Sequence, residues 1–153
     1  SNRSVDGVYA LSLNKTLQSV TAERDIIISD QPWAVAWYAD RHSIWLPTSF
    51  SELAEIEEIA ELNNPIAGIH LSSVSYREQD IRTTWFEHRE LTPLLYSRWM
   101  SFFANDSNVF AKNEQIDSLV NPATGRYKHQ VPLSNLLEPS SYYSKNEPEQ
   151  KAN

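Results

Sequence analysis

The chain of 153 residues contains no cysteine. This removes thiol nucleophiles, CxxC redox pairs, Fe–S clusters and thiolate zinc sites from consideration. It does not assign a compartment, because a thiol-free chain suits the periplasm and the cytosol equally. Glycine is almost as scarce, with only Gly7, Gly68 and Gly125, far apart from one another. A dinucleotide-binding GxGxxG turn, a P-loop and a GxSxG nucleophile elbow all need clustered glycines, where backbone approaches phosphate or turns sharply, and all three are excluded. Basic charge is in deficit. Thirteen Lys and Arg against twenty Asp and Glu leave a net charge of −7, the wrong sign for a surface that neutralises phosphates, so no nucleic-acid partner is expected. The longest apolar run, Trp33 to Ala39, spans seven residues, far short of the ~18 that a membrane helix requires. No basic region followed by an apolar stretch opens the chain, so no signal peptide is expected, and Ser1 and Asn2 read as the remnant of an expression tag.

What remains is ordinary globular composition, 41% hydrophobic, 22% charged and 11% aromatic, at the length of one domain. A chain of this size buries on the order of 70% of its unfolded surface and needs neither a disulfide nor a structural metal. Residues 3–139 are expected to form a single α/β domain, and 140–153, rich in Ser, Lys, Asn, Glu and Pro, a disordered tail.

Periodicity supplies the elements. Leu11, Leu13, Leu17 and Val20 recur near helical spacing, predicting a helix over Val8 to Val20. Ile26, Ile27 and Ile28 form a β-branched run between polar residues, the mark of a strand buried on both faces. Pro32 fits the first turn of a helix capped by Asp30 or Gln31, which runs through Ala39. Because that helix is apolar all round, it is expected to be buried, with Trp33 and Trp37 packed in the core. Ser43 to Leu46 predicts a second strand, ended by Pro47. Ser49 or Ser51 opens a helix whose apolar stripe is Leu53, Ile56, Ile59 and Ala60, with its glutamates on the solvated side. Ile66 to Leu71 predicts a third strand, and Pro93 a further helix with Leu94, Leu95, Trp99, Phe102 and Phe103 on one face. A weak strand signal covers Tyr127 to Leu133. Short apolar strands alternating with helices predict a small three-layer α/β domain with a mainly parallel sheet.

Chemistry is sparser. His42, His70, His88 and His129 show no metal-ligand spacing, and each reads as a surface or satisfied core histidine. No cofactor or metal is expected. A dispersed Ser/His/Asp arrangement has no positive sequence feature.

The densest stretch is Asp30, Pro32-Trp33, Ala36-Trp37-Tyr38, Asp40-Arg41, then Trp45-Leu46-Pro47. This order resembles the soluble C-terminal domain of bacterial membrane glycosyltransferases that use polyprenyl-phosphate sugars, the relatives of protein O-mannosyltransferases and aminoarabinose transferases. The resemblance covers about Asp25 to Pro47 specifically and extends more loosely to Val74. His42 stands where that family often has proline. The resemblance implies an accessory domain on the periplasmic side of the inner membrane, with the helical bundle of the same polypeptide, and a glycan or lipid-linked sugar, as partners. It implies no catalysis by this segment, because the family's catalytic acid belongs to a loop of the bundle. Asp30, Trp33, Trp37, Arg41 and Pro47 are the candidate contact residues. Asp30 reads as a helix cap or a groove residue. Arg41 reads as a partner of Asp40 or Asp30, or as a planar fork for phosphate or carboxylate. Asp30, Trp33 and the Pro47-Thr48 turn are expected to line a shallow groove at the carboxyl ends of the strands, with Arg41 at the opposite end of the sheet. A stand-alone binding module for a small ligand or protein is the alternative.

Overall fold

The computed structural model describes residues 15–72, 80–96, 113–133 and 140–148. Among these residues five strands form one sheet: β1 (Ile26–Ser29), β2 (His42–Trp45), β3 (Ile66–Leu71), β4 (His129–Pro132) and β5 (Ser141–Ser144), in the order β2-β1-β3-β5-β4. β1 pairs in parallel with β2 and with β3, whereas β5 lies antiparallel between β3 and β4. Four strands therefore point one way and β5 the other. The helices are α1 (Pro32–Ala39), α2 (Phe50–Glu61), α3 (Ile81–His88) and α4 (Glu114–Val120), with a 3-10 turn at Arg89–Leu91. Residues 15–19 and 92–96 are also helical. Among the described residues, no helix is long and apolar enough to cross a membrane.

The expected α/β class is observed, with three layers. Alternation along β1 sends Ile27 to one face of the sheet and Ile28 to the other. Ile27 belongs to the cluster of Leu17, Ala34, Val35, Ala39 and Tyr142, while Ile28 belongs to the one that holds Leu53, Ile69, Leu91, Leu94, Leu95 and Tyr143. α1 thus covers one face and α2 the other, as right-handed crossovers from β1 to β2 and from β2 back to β3 require. α2 starts at a Ser49 N-cap: Ser49 Oγ accepts from the Glu52 backbone N–H at 3.1 Å, satisfying an otherwise orphaned amide, while the Glu52 carboxylate accepts from the Thr48 amide at 3.5 Å rather than from that of Ser49.

Three sequence expectations need correction, and two helices had no sequence expectation. α1 is not buried all round. Its small residues Ala34, Val35 and Ala39 lie on the sheet, while Trp33, Ala36 and Trp37 face outward. A helix packed against one layer buries one stripe only, and an apolar composition cannot say which stripe that is. Ile59 leaves the expected stripe of α2 and is exposed, with Leu53 buried and Ile56 and Ala60 partly so. The expected disordered tail does not hold for Ser141–Ser144. All four residues are buried as β5, because insertion between β3 and β4 covers Tyr142 and Tyr143 on opposite faces. α3 and α4 carry too little periodicity to have been predicted. α4 is nucleated by Asn113, whose side chain accepts from the amides of Gln115 and Ile116. The expected tag remnant at 1–2, the start of the first predicted helix and the Trp99, Phe102 and Phe103 face lie outside the described residues.

Gly68 shows how tightly β3 and β5 fit. A Cβ at this position would overlap the ring of Tyr142, which is itself buried. Gly68→Ala is expected to cost about 1–3 kcal/mol by overpacking and to lower the melting temperature by ~2–10 °C. Thermal unfolding checks this. The loss should shrink when Tyr142 is first shortened to Leu, and an unchanged loss in that background would remove the steric explanation.

Candidate functional site

In a sheet of this topology the chain leaves β1 towards one edge and β3 towards the other, and ligand crevices form outside the carboxyl ends of such neighbouring strands. Those ends carry Ser29, Asp30, His70 and Ser72, all fully or almost fully buried. Ser29 Oγ lies 2.7 Å from His70 Nδ1, and Ser140 Oγ lies 3.3 Å from His70 Nε2. Ser29 Oγ also accepts from the Gln31 backbone N–H at 2.9 Å. The Ser29 hydroxyl proton can then point to Nδ1, which leaves Nε2 protonated and donating to Ser140. Burial pushes the His70 pKa down to about 3, because a charged imidazole here would lose its hydration.

Asp30 is not the cap of α1. The N-cap is Gln31, without a side-chain capping bond. The Asp30 carboxyl instead crosses to β3, with Oδ1 accepting from the Ser72 backbone N–H and Oδ2 from Ser72 Oγ, both at 2.8 Å. Serine, histidine and aspartate are therefore adjacent in space, yet they are not arranged as a nucleophilic triad. The second imidazole nitrogen meets a serine rather than a carboxylate, and neither Ser29 nor His70 is accessible. The network ties β1, β3 and the entry to β5 together. Sequence reading did not single out His70, Ser72 or Ser140, since nothing local marks residues that meet only across strands.

Arg41 is at the opposite end of the sheet, as expected, but it pairs with neither Asp40 nor Asp30 through their carboxylates. Its Nε donates to Thr21 Oγ1 at 2.9 Å, and its terminal nitrogens donate to the carbonyls of Asp40, Gln18 and Thr21. The planar fork is occupied in holding the 15–21 segment against the start of β2. Asp40 ends α1 in the left-handed region, φ 51°, where a short polar side chain is tolerated better than most.

The indoles of the motif face solvent. Trp33 is 56% exposed, Trp37 79% and Trp45 63%. Trp33 and Trp37 are four residues apart, and hence neighbours on the outer side of α1. Register pairs Ser29 with Trp45, which puts Trp45 on the sheet face that α1 covers. Trp33 is held by a 2.7 Å bond from Nε1 to Gln31 Oε1 and by an edge contact with Tyr38. Three large exposed aromatics on one side of a small domain are a compositional mark of interfaces.

The expected groove is only partly formed. Asp30 and Pro47 are buried. Thr48 does line an open depression of about 380 Å³, but together with Ser49, Trp85, Arg89 and Glu90 rather than with Trp33. Nearby, His88 is buried with Nε2 lacking a hydrogen bond, and burial lowers its pKa against the opposing pull of Glu87. Among the described residues, no group of His, Asp or Glu could hold a metal ion. No protein-family model matches the chain, and no curated protein or solved structure matches it either.

Proposed function

We propose that this chain is an accessory extracytoplasmic domain of an integral membrane glycosyltransferase, on the periplasmic side of the inner membrane, which docks on the helical bundle of its own polypeptide through Trp33, Trp37 and Trp45. The observation that carries this reading is the exposure of those indoles on one side of the domain. They belong to the same Asp30 to Pro47 stretch that bears the resemblance. The other motif residues support it by what they do. Asp30 and Arg41 brace the strand ends and the start of β2, holding α1 in place so that its outer face presents the tryptophans. The acid and base candidates at the strand ends are sealed from solvent, which favours a binding role over sugar transfer by this domain.

The test uses the full-length enzyme. Trp37→Ala removes an exposed side chain that the domain core does not use, so expression and melting temperature should be unchanged. Sugar transfer should fall, since truncating a central interface tryptophan costs about 2 kcal/mol, roughly a 30-fold loss of affinity. Full activity in the Trp33→Ala, Trp37→Ala double variant would reject the docking face. Sugar transfer from a polyprenyl-phosphate donor by the isolated chain would reject the accessory role.

A further inference from the structure

The depression beside Thr48 lies between the start of α2 and the turn that ends α3, on residues separate from the three exposed indoles of the proposed docking face. Its walls are fastened together. The Glu90 backbone N–H donates to the Thr48 carbonyl at 3.0 Å, and the Phe50 N–H donates to Glu90 Oε2 at 2.8 Å. Within this frame Arg89 has φ 49° and ψ −122°, a conformation that glycine adopts freely and other residues rarely do. Strained backbone of this kind persists only where its surroundings enforce it, and it concentrates at sites that bind. The guanidinium carbon lies 4.7 Å from the centre of the Phe86 ring. That contact covers one face of the group and leaves its edge donors clear, and among the described residues no hydrogen bond or ion pair occupies them. Trp85 lines the same depression with about half of its surface exposed.

We infer that this depression binds the ring of a neutral sugar. At about 380 Å³ it is at the small end of ligand pockets, the scale of one such ring. The Trp85 indole offers an apolar plane with a negative face, which suits the weakly positive C–H face of a pyranose. The depression is also lined by Arg89, a donor-only group, by Glu90, whose carboxylate only accepts, and by Thr48 and Ser49, with Glu90 Oε2 and Ser49 Oγ each already accepting one backbone N–H. This mixed set matches sugar hydroxyls, each of which donates and accepts. A simple anion would meet Glu90, with Glu52 close by at 3.5 Å from the Thr48 amide. A simple cation would meet Arg89. A neutral polyol meets neither repulsion.

The experiment titrates the whole chain with methyl pyranosides of gluco, manno and galacto configuration, and separately with inorganic phosphate, while following the tryptophan indole N–H resonances. The expected result is a saturable shift of the Trp85 resonance with at least one pyranoside, no such shift at Trp33, Trp37 or Trp45, and no response to phosphate. Arg89→Gly is expected to melt no lower than the parent, because glycine takes this φ without strain, and yet to lose the shift. In Thr48→Val and Glu90→Gln the shift should weaken. Absence of a saturable shift with all three pyranosides overturns the inference. So does a response to phosphate in their place, or an undiminished titration in Arg89→Gly. None of these outcomes bears on the docking face, whose own test reads sugar transfer in the Trp37 variant.

Discussion

Lowering the pH from 7 to 4 is expected to remove about 3 kcal/mol of folding stability through His70 alone. In the unfolded chain its imidazole takes up a proton below about pH 6.5, whereas in the folded protein burial keeps it neutral down to about 3. Between those values the unfolded state binds more protons, so acid favours unfolding. Above pH 6.5 both states are neutral and the contribution is constant. The molecular cost is clear from the site, where both ring nitrogens already face serine hydroxyls and, among the described residues, no carboxylate bonds either nitrogen to stabilise a cation. Denaturant unfolding measured across this range should show a slope approaching 1.4 kcal/mol per pH unit from this residue. His70→Gln keeps polar atoms in the strand but cannot titrate, and the slope between pH 4 and 6.5 should drop by that amount. An equal slope in parent and variant would assign the acid sensitivity elsewhere.

Asp30→Ala is expected to destabilise the domain by about 2–5 kcal/mol, well beyond the ~1 kcal/mol of a lost helix cap. The side chain serves two buried donors on Ser72, its backbone N–H and its hydroxyl. Alanine leaves the amide without that acceptor in a region closed to water, and the penalty for an orphaned buried donor is larger than the net gain from making the bond. Asp30→Asn retains one acceptor oxygen and should cost less. In urea, Asp30→Ala should lower the midpoint at unchanged m-value, since the surface exposed on unfolding is similar. A loss of 1 kcal/mol or less would reduce Asp30 to a minor local role. On the docking role proposed above, Asp30→Ala in the full-length protein is expected to lose sugar transfer only together with melting temperature, whereas Trp37→Ala separates the two.

Much of the architecture was legible because it is written in local patterns. The isoleucines of β1, the Pro32 start of α1, the Ser49 N-cap of α2 and the apolar run of β3 each depend on residues within a turn or a strand of one another. Their parallel arrangement follows from the handedness of short crossovers. β5 was illegible for the opposite reason. Ser-Tyr-Tyr-Ser has neither alternation nor an aliphatic run, and it becomes a central strand only because β3 and β4 flank it and helices cover both faces. α4 was hidden as well, its start set by the Asn113 cap rather than by periodicity.

The site divides in the same way. From the sequence alone came the absence of thiol, glycine-loop and phosphate-neutralising chemistry, three parallel strands with their intervening helices, and the separation of Asp30 from Arg41 at opposite ends of the sheet. Tertiary structure decided which face of α1 is buried, and so turned Trp33 and Trp37 from expected core residues into surface ones. It brought His70, Ser29 and Ser140 into one buried network, and it set Trp85, Arg89 and Glu90 beside Thr48. Periodicity and capping act within a few residues along the chain and can be read there. Which apolar stripe of a helix is covered, and which polar groups meet across strands 40 to 70 residues apart, depends on the packing of whole layers.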